Sequence, residues 1–138
     1  MATTYNRPDM PSSLTPSSSP PARGSPAQRR GYAAEQLALD YLLSRGLGLV
    51  ARNWRARSGE IDLVVADGAE LVFVEVRQRS GAGWGGAAAS VTPVKQARVR
   101  RAAAAFLASR FARRAWPAAR FDVVAIDGAR IDWIRGAF

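Results

Sequence analysis

The 138-residue chain contains no Cys and no His. The first absence excludes disulfide staples, thiolate nucleophiles and Cys-ligated zinc or iron–sulfur centres, and the second removes imidazole ligands and the usual general base. A metal bound here is held mainly by oxygen. No apolar run approaches the roughly 18–20 residues that span a bilayer, and the first residues lack an apolar signal core, so a cytoplasmic protein without membrane contact is expected. Acids are also scarce: 11 Asp and Glu stand against 20 Lys and Arg, for a net charge of +9. Lys95 is the only lysine, and every other basic residue is Arg. That balance points to an anionic partner.

What is present suffices for one domain and a tail. Residues 1–28 hold six Pro and six Ser and hardly any large apolar side chain, so they are expected to be a disordered leader, with the domain over 29–138. From Gln28 to Arg45, Ala34, Leu37, Ala38, Tyr41 and Leu42 recur at one-sided helical spacing, and Gly46 follows as a C′ glycine. Leu49 to Arg55 reads as an exposed or edge strand because it carries Arg52 and Arg55. Two β-branched runs, 61–65 and 71–76, flank the hairpin signal Asp67-Gly68. Segment 80–90, rich in Gly and Ala around Trp84, reads as a loop, either closing over a substrate near Arg77 or serving as a plain connector.

Thr92 and Pro93 open a second helix as N-cap and N1, running to about Arg114, with Val99, Ala103, Phe106 and Leu107 on one face and Arg98 and Arg101 on the other. A strand over 121–126 follows, and Asp127-Gly128 can turn it into a last short strand over 131–134. The expected class is α/β, with a mixed sheet in the order αβββαβ and an optional C-terminal strand. The hairpin supplies an antiparallel pair, and the strand–helix–strand passage supplies a right-handed crossover to a parallel one.

With Asp67 and Gly68 as a two-residue loop, Val64 pairs with Leu71, Asp62 with Phe73 and Glu60 with Glu75. Asp62 is then diagonal to Glu75 on one face, with Arg77 beside Glu75 and Gln78 on the other face. Carboxylates among apolar strands need a partner, because unpaired burial is costly. A divalent cation on Asp62 and Glu75 is one solution, since coordination by one or two carboxylates with retained waters suits Mg2+ or Mn2+. Ion pairing to Arg77 and Arg79, or a wet face, is the other, and pattern alone leaves the two open. Glu60 is then an outer-shell ligand or an exposed strand-end carboxylate.

The strings GYAAEQLALDYLLSRGL, ARNWRARSGEIDLVV and LVFVEVRQRS, followed by VTPVKQARVRRAAAAFL and RFDVVAID, resemble the YraN family of small bacterial proteins. The likeness spans nearly all of residues 29–138. That family is similar to archaeal Holliday-junction resolvases and to the PD-(D/E)xK nuclease superfamily, which implies a restriction-endonuclease-like core. Carried onto this chain, the resemblance implies metal-binding acids at Asp62 and Glu75 and a further acid on the first helix at Glu35. It also implies a Lys where this chain has Arg77. Lys can orient or deprotonate a water, whereas Arg keeps its proton and acts electrostatically. The implied activity is Mg2+- or Mn2+-dependent endonuclease hydrolysis of phosphodiester bonds in DNA, on branched structures by analogy. A module of the same fold that binds nucleic acid without cutting is the alternative, and a protein that docks an acidic partner is a third reading. Symmetric cutting calls for a homodimer.

Residues 95–120 carry basic side chains and no acid. Arg52, Arg55 and Arg57 before the hairpin, Arg79 after it, and Lys95, Arg98 and Arg101 on the second helix are the candidate nucleic-acid contacts, meeting phosphates rather than bases. Trp54 and Trp84 can stack on unpaired bases, but core packing is the expected role of Trp54, Trp116 and Trp133.

Overall fold

The computed structural model describes residues 24–78 and 90–138. Expectations for residues 1–23, for Arg79 and for the loop residues 80–89 with Trp84 lie outside the described residues.

α1 (Pro26–Ser44) begins at Pro26 rather than Gln28, because Ser25 and Gln28 form a capping box. The Gln28 amide donates to Ser25 Oγ at 3.1 Å and the Ser25 amide to Gln28 Oε1 at 2.8 Å. Residues 26–28 thereby belong to the helix and not to the Pro/Ser-rich tail. The buried stripe of α1 is Ala34, Ala38, Leu39 and Leu42, while Leu37, expected on it, is 48% exposed. Relative to the expected stripe this is a rotation of roughly 60° about the helix axis, and it turns Glu35 toward the sheet.

β1 (Gly48–Ala56), β2 (Gly59–Asp67), β3 (Glu70–Gln78), α2 (Pro93–Arg110), β4 (Ala119–Asp127) and β5 (Arg130–Ile134) complete the chain. The strands lie in the order β1-β2-β3-β4-β5, antiparallel throughout except for the parallel β3–β4 pair bridged by α2. This is a mixed α/β sheet with the extra C-terminal strand present, an order compatible with a nuclease-like core. Thr92 caps α2, its Oγ1 accepting from the Lys95 amide at 3.2 Å. The helix ends at Arg110 rather than near Arg114, because Phe111 leaves helical geometry and buries itself to 3% exposure. No helix among the described residues is long and apolar enough to cross a membrane.

Strand alternation sends side chains to two cores. Val64, Ala66, Leu71 and Phe73 pack with Ala102, Phe106 and Leu107 of α2, whereas Leu63, Val65, Val72 and Val74 pack with Ala34, Ala38 and Leu42 of α1. The helices therefore cover opposite faces, and the sheet is buried between them.

The hairpin register differs from expectation by two. Asp67 pairs with Glu70, so Gly68 and Ala69 form the loop, with Gly68 at φ +60° in the first central position as a type II′ turn requires. Arg120 clasps the closing pair, with its Nη2 2.9 Å from Asp67 and its Nη1 2.6 Å from Glu70. A slip of two residues keeps every side chain on its expected face, whereas a slip of one would reverse them all.

The β1–β2 pair is irregular at two places: a register shift between Leu49 and Ala51 puts Val50 and Ala51 on the same side, and a face reversal follows. Arg52 turns to α1 and its second neighbour Trp54 turns to α2; across from them, Leu63 packs with α1 and Ile61 with α2. Between these pairs the register omits Asn53 and Asp62, and Asn53 adopts φ +51°. Asn tolerates this left-handed conformation better than most residues. The face reversal sits at the position that carries the aspartate.

Candidate functional site

Backbone pairing of β2 with β3 stops at Leu63 and Val74. The next residues on the two strands are Asp62 and Glu75, which lie beyond the last paired positions and close enough for the charge of Glu75 to act on Asp62. Instead of a further strand-to-strand contact, Asp62 Oδ2 accepts the Val76 amide at 2.9 Å, so the aspartate side chain fills the place of a main-chain acceptor where the strands part. Glu75 is 3% exposed. Glu60, expected opposite Glu75, pairs instead with Arg55 on β1, at Nε–Oε2 3.5 Å.

Three cations approach these acids from three elements. Lys95, at the third position of α2, brings Nζ to 3.2 Å from Glu75 Oε1. Arg77 donates from Nε to Ser90 Oγ at 3.3 Å and from Nη2 to Ser90 O at 3.5 Å, which ties the end of β3 to the chain entering α2. Arg52 is buried: it donates to Gln36 Oε1 at 2.6 Å and to Tyr32 O at 2.8 Å, lies over the Tyr32 ring, and holds Nε 3.6 Å from Glu35 Oε2. The Asn53 side chain also favours the charged form of Glu35.

The acids remain under-compensated. Burial pushes Glu35 up to about 7, and the neighbouring Asp62 charge adds to the rise against the pull of Asn53 and Arg52. Burial likewise pushes Asp62 up to about 7, with Glu75 as the next cause, while the Val76 amide and Lys95 act the other way. Burial raises Glu75 as well, opposed by Lys95 and Arg77. Glu75 Oε2 and Glu35 Oε2 are buried without a hydrogen-bond partner. Such a group gains from added positive charge or from a proton.

Asp62 and Glu75 fit a small oxygen-seeking dication on these grounds. A Mg2+-like ion that keeps several waters needs only one or two carboxylates, and one Glu75 oxygen stands unpartnered. Among the described residues no three acids gather into a ready-made cage, so waters and substrate oxygens would complete the shell.

The candidate phosphate contacts separate into distinct groups. Arg52 is corrected from a nucleic-acid contact to a buried anchor between β1 and α1, since a guanidinium hidden between sheet and helix reaches no phosphate. Lys95 faces the acids rather than an open track. Arg55, Arg57 and Arg98 line one groove, and Arg101 is exposed on the outer side of α2. Trp54 packs edge-on against Phe106 at 5.4 Å, and Trp133 Nε1 donates to Asp122 at 2.9 Å, as core residues. Trp116 is corrected: it is 53% exposed, lying past the end of α2 where neither core reaches.

Two polar residues escaped the pattern. Asn53 was legible only as an unexplained polar residue in a strand. Asp122, fully buried on β4, accepts from Arg120, from Trp133 and from the Gly136 amide. Its donors lie on both sides of it in the sequence, and no local spacing announces them.

The family model described as "Uncharacterised protein family UPF0102" matches residues 34–126, a span that holds Glu35, Asp62, Glu75, Arg77 and Lys95. A UPF0102 protein of Bordetella parapertussis is 54% identical over 130 residues, covering 90% of this chain and 73% of the relative. One from Ralstonia nicotianae is 55% identical over 127 residues, covering 89% and 93%. One from Ralstonia pickettii is 58% identical over 112 residues, covering 78% and 88%. Matches of this identity and span establish that the chain belongs to the UPF0102 family, the YraN family that its motifs resemble.

Proposed function

We propose that the chain is a metal-dependent nuclease-like protein that hydrolyses phosphodiester bonds in DNA, with branched or flapped DNA as its substrate class. The observation that carries this reading is the proximity of the Asp62 and Glu75 carboxylates where β2 and β3 part, with Lys95 Nζ 3.2 Å from Glu75 Oε1. Asp62 and Glu75 would hold Mg2+ or Mn2+. That ion, when bound, would polarise the scissile phosphate and acidify a water.

The chain's own residues then divide the remaining work. Lys95 offers the compact, mobile charge that the resemblance expects at position 77, delivered from α2 instead of β3. Arg77, tethered to Ser90, supplies a fixed positive charge at the rim that favours a phosphate and its developing negative charge. Glu35, pushed up to about 7, is suited to accept a proton near neutral pH. Arg52 holds it in place.

The test is cleavage of labelled junction, flap and linear DNA with Mg2+ or Mn2+ by the wild-type chain and by Asp62→Ala. Metal-dependent cutting by the first and not by the second supports the reading. Equal binding by both with no cutting by either overturns it in favour of a binding module. Gel filtration of the chain with junction DNA tests whether two copies assemble, as symmetric cutting requires.

A further inference from the structure

The turn joining β1 to β2 closes against α2 through a glycine. A Cβ at Gly59 would lie 3.1 Å from the Arg98 carbonyl oxygen, so the turn rests directly on the helix backbone and any side chain there would push them apart. This contact makes a groove of about 600 Å³ whose lining includes Arg55, Arg57, Ser58, Glu60 and Arg98. Three arginines from two separate segments thus line one depression together with Glu60. Arg55 is matched to Glu60. Among the described residues, Arg57 and Arg98 have no ion pair, and both are exposed. Like charges gathered without counter-charges repel weakly in water and gain when an anion enters. Planar arginine forks suit the tetrahedral oxygens of a phosphate.

The groove also has a definite position. Glu60 on its wall is two residues from Asp62 along β2, about 7 Å of extended chain. An anion seated there lies beside the acids and not among them.

We propose that this groove is a phosphate subsite that grips a neighbouring phosphodiester of the nucleic-acid strand whose scissile group lies at Asp62 and Glu75. It rests on the proposed function for the identity of the strand, and it assigns to Arg57 and Arg98 the task of setting that strand's position. Glu60 occupies Arg55 until a phosphate replaces it, so Glu60 weakens binding and limits loose attachment to any anion.

The experiment measures binding of a fluorescein-labelled flapped duplex to the full-length chain carrying Asp62→Ala, which prevents cutting, across about 50–200 mM salt. Adding Arg57→Ala and Arg98→Ala is expected to weaken binding about tenfold or more and to reduce the log–log salt slope by about two, one per lost contact. Glu60→Gln is expected to act oppositely, tightening binding severalfold. A control pair, Arg30→Ala with Arg113→Ala, removes the same charge far from the groove and is expected to do much less. Equal losses from both pairs, or an unchanged salt slope in the groove pair, would overturn the subsite, as would a parent chain with no salt-sensitive binding. Manganese uptake by the wild-type chain, measured by calorimetry, keeps the two ideas apart. Strong groove-dependent binding with no manganese uptake sinks the cleavage reading and leaves the groove standing as the phosphate grip of a chain that binds nucleic acid without cutting it.

Discussion

Lys95 Nζ lies 3.2 Å from Oε1 of Glu75, an ammonium on the first turn of a helix set against a nearly buried carboxylate in the middle of a sheet. The pair lets the chain keep an acid where water is scarce. It also places the only lysine at the acids while Arg77 is tied to Ser90.

Lys95→Ala should therefore separate metal uptake from chemistry. Losing the ammonium leaves a buried acceptor unmatched, which costs about 1–3 kcal/mol in a urea titration. It also removes the cation that competes for Glu75, so calorimetry should show tighter manganese binding while cleavage falls. Weaker manganese binding together with lost cleavage would mean that Lys95 supports the ion rather than substituting for it.

The acids should make the metal-free protein less stable as pH rises. Glu35 and Asp62 bind protons more tightly when folded, both being pushed up to about 7 from ordinary values of 4.5 and 3.8. Their contribution is fully present below about pH 4 and is lost as pH rises through about 7. Calorimetric unfolding with EDTA should show a midpoint that falls across that window, and Asp62→Asn should flatten the fall. Manganese should raise the midpoint most at the upper end, because it binds only the ionised native site. A midpoint that climbs between pH 4 and 7 would contradict the assignment.

Arg52→Ala should damage the fold and spare the nucleic-acid interface. It removes the partner of Gln36, Tyr32 and Glu35 and leaves an acid unpaired in the interior, a change expected to cost about 3–5 kcal/mol. Chemical denaturation measures that cost. The salt slope of DNA binding by the folded fraction should stay at the wild-type value, and a reduced slope would return Arg52 to the phosphate-contacting surface.

Asn53 should reverse the usual strand preference. In an ordinary strand Gly is worse than Ala. At φ +51° the Ala side chain meets a penalty of about 1–2 kcal/mol that Gly avoids. Urea midpoints should rank wild type first, Asn53→Gly second and Asn53→Ala last.

Much of the architecture was legible because its causes are local. Thr92 and Pro93 mark a helix start through capping chemistry, and Val99, Ala103, Phe106 and Leu107 lie on the buried face that their spacing predicts. The hairpin was legible as to face but not as to partner. Asp67-Gly68 signals a turn, yet Arg120, far along the chain, closes Asp67 onto Glu70 and selects the register. The α1 start was missed because Pro and Ser read as disorder in bulk composition, although Ser25, Pro26 and Gln28 together are a cap.

The amino-acid order by itself pointed to a hairpin with Asp62 and Glu75 among its apolar residues and to a second helix with a cationic side, because side-chain alternation and helical period follow from short-range geometry. Only the tertiary structure decided which cation meets which acid. Arg52 went inward, Lys95 went to Glu75, and Arg55, Arg57 and Arg98 met across the Gly59 contact. Such pairings depend on how segments distant in sequence stack, and the rotation of one helix or the reversal at Asn53 redirects a charge that no local pattern can aim.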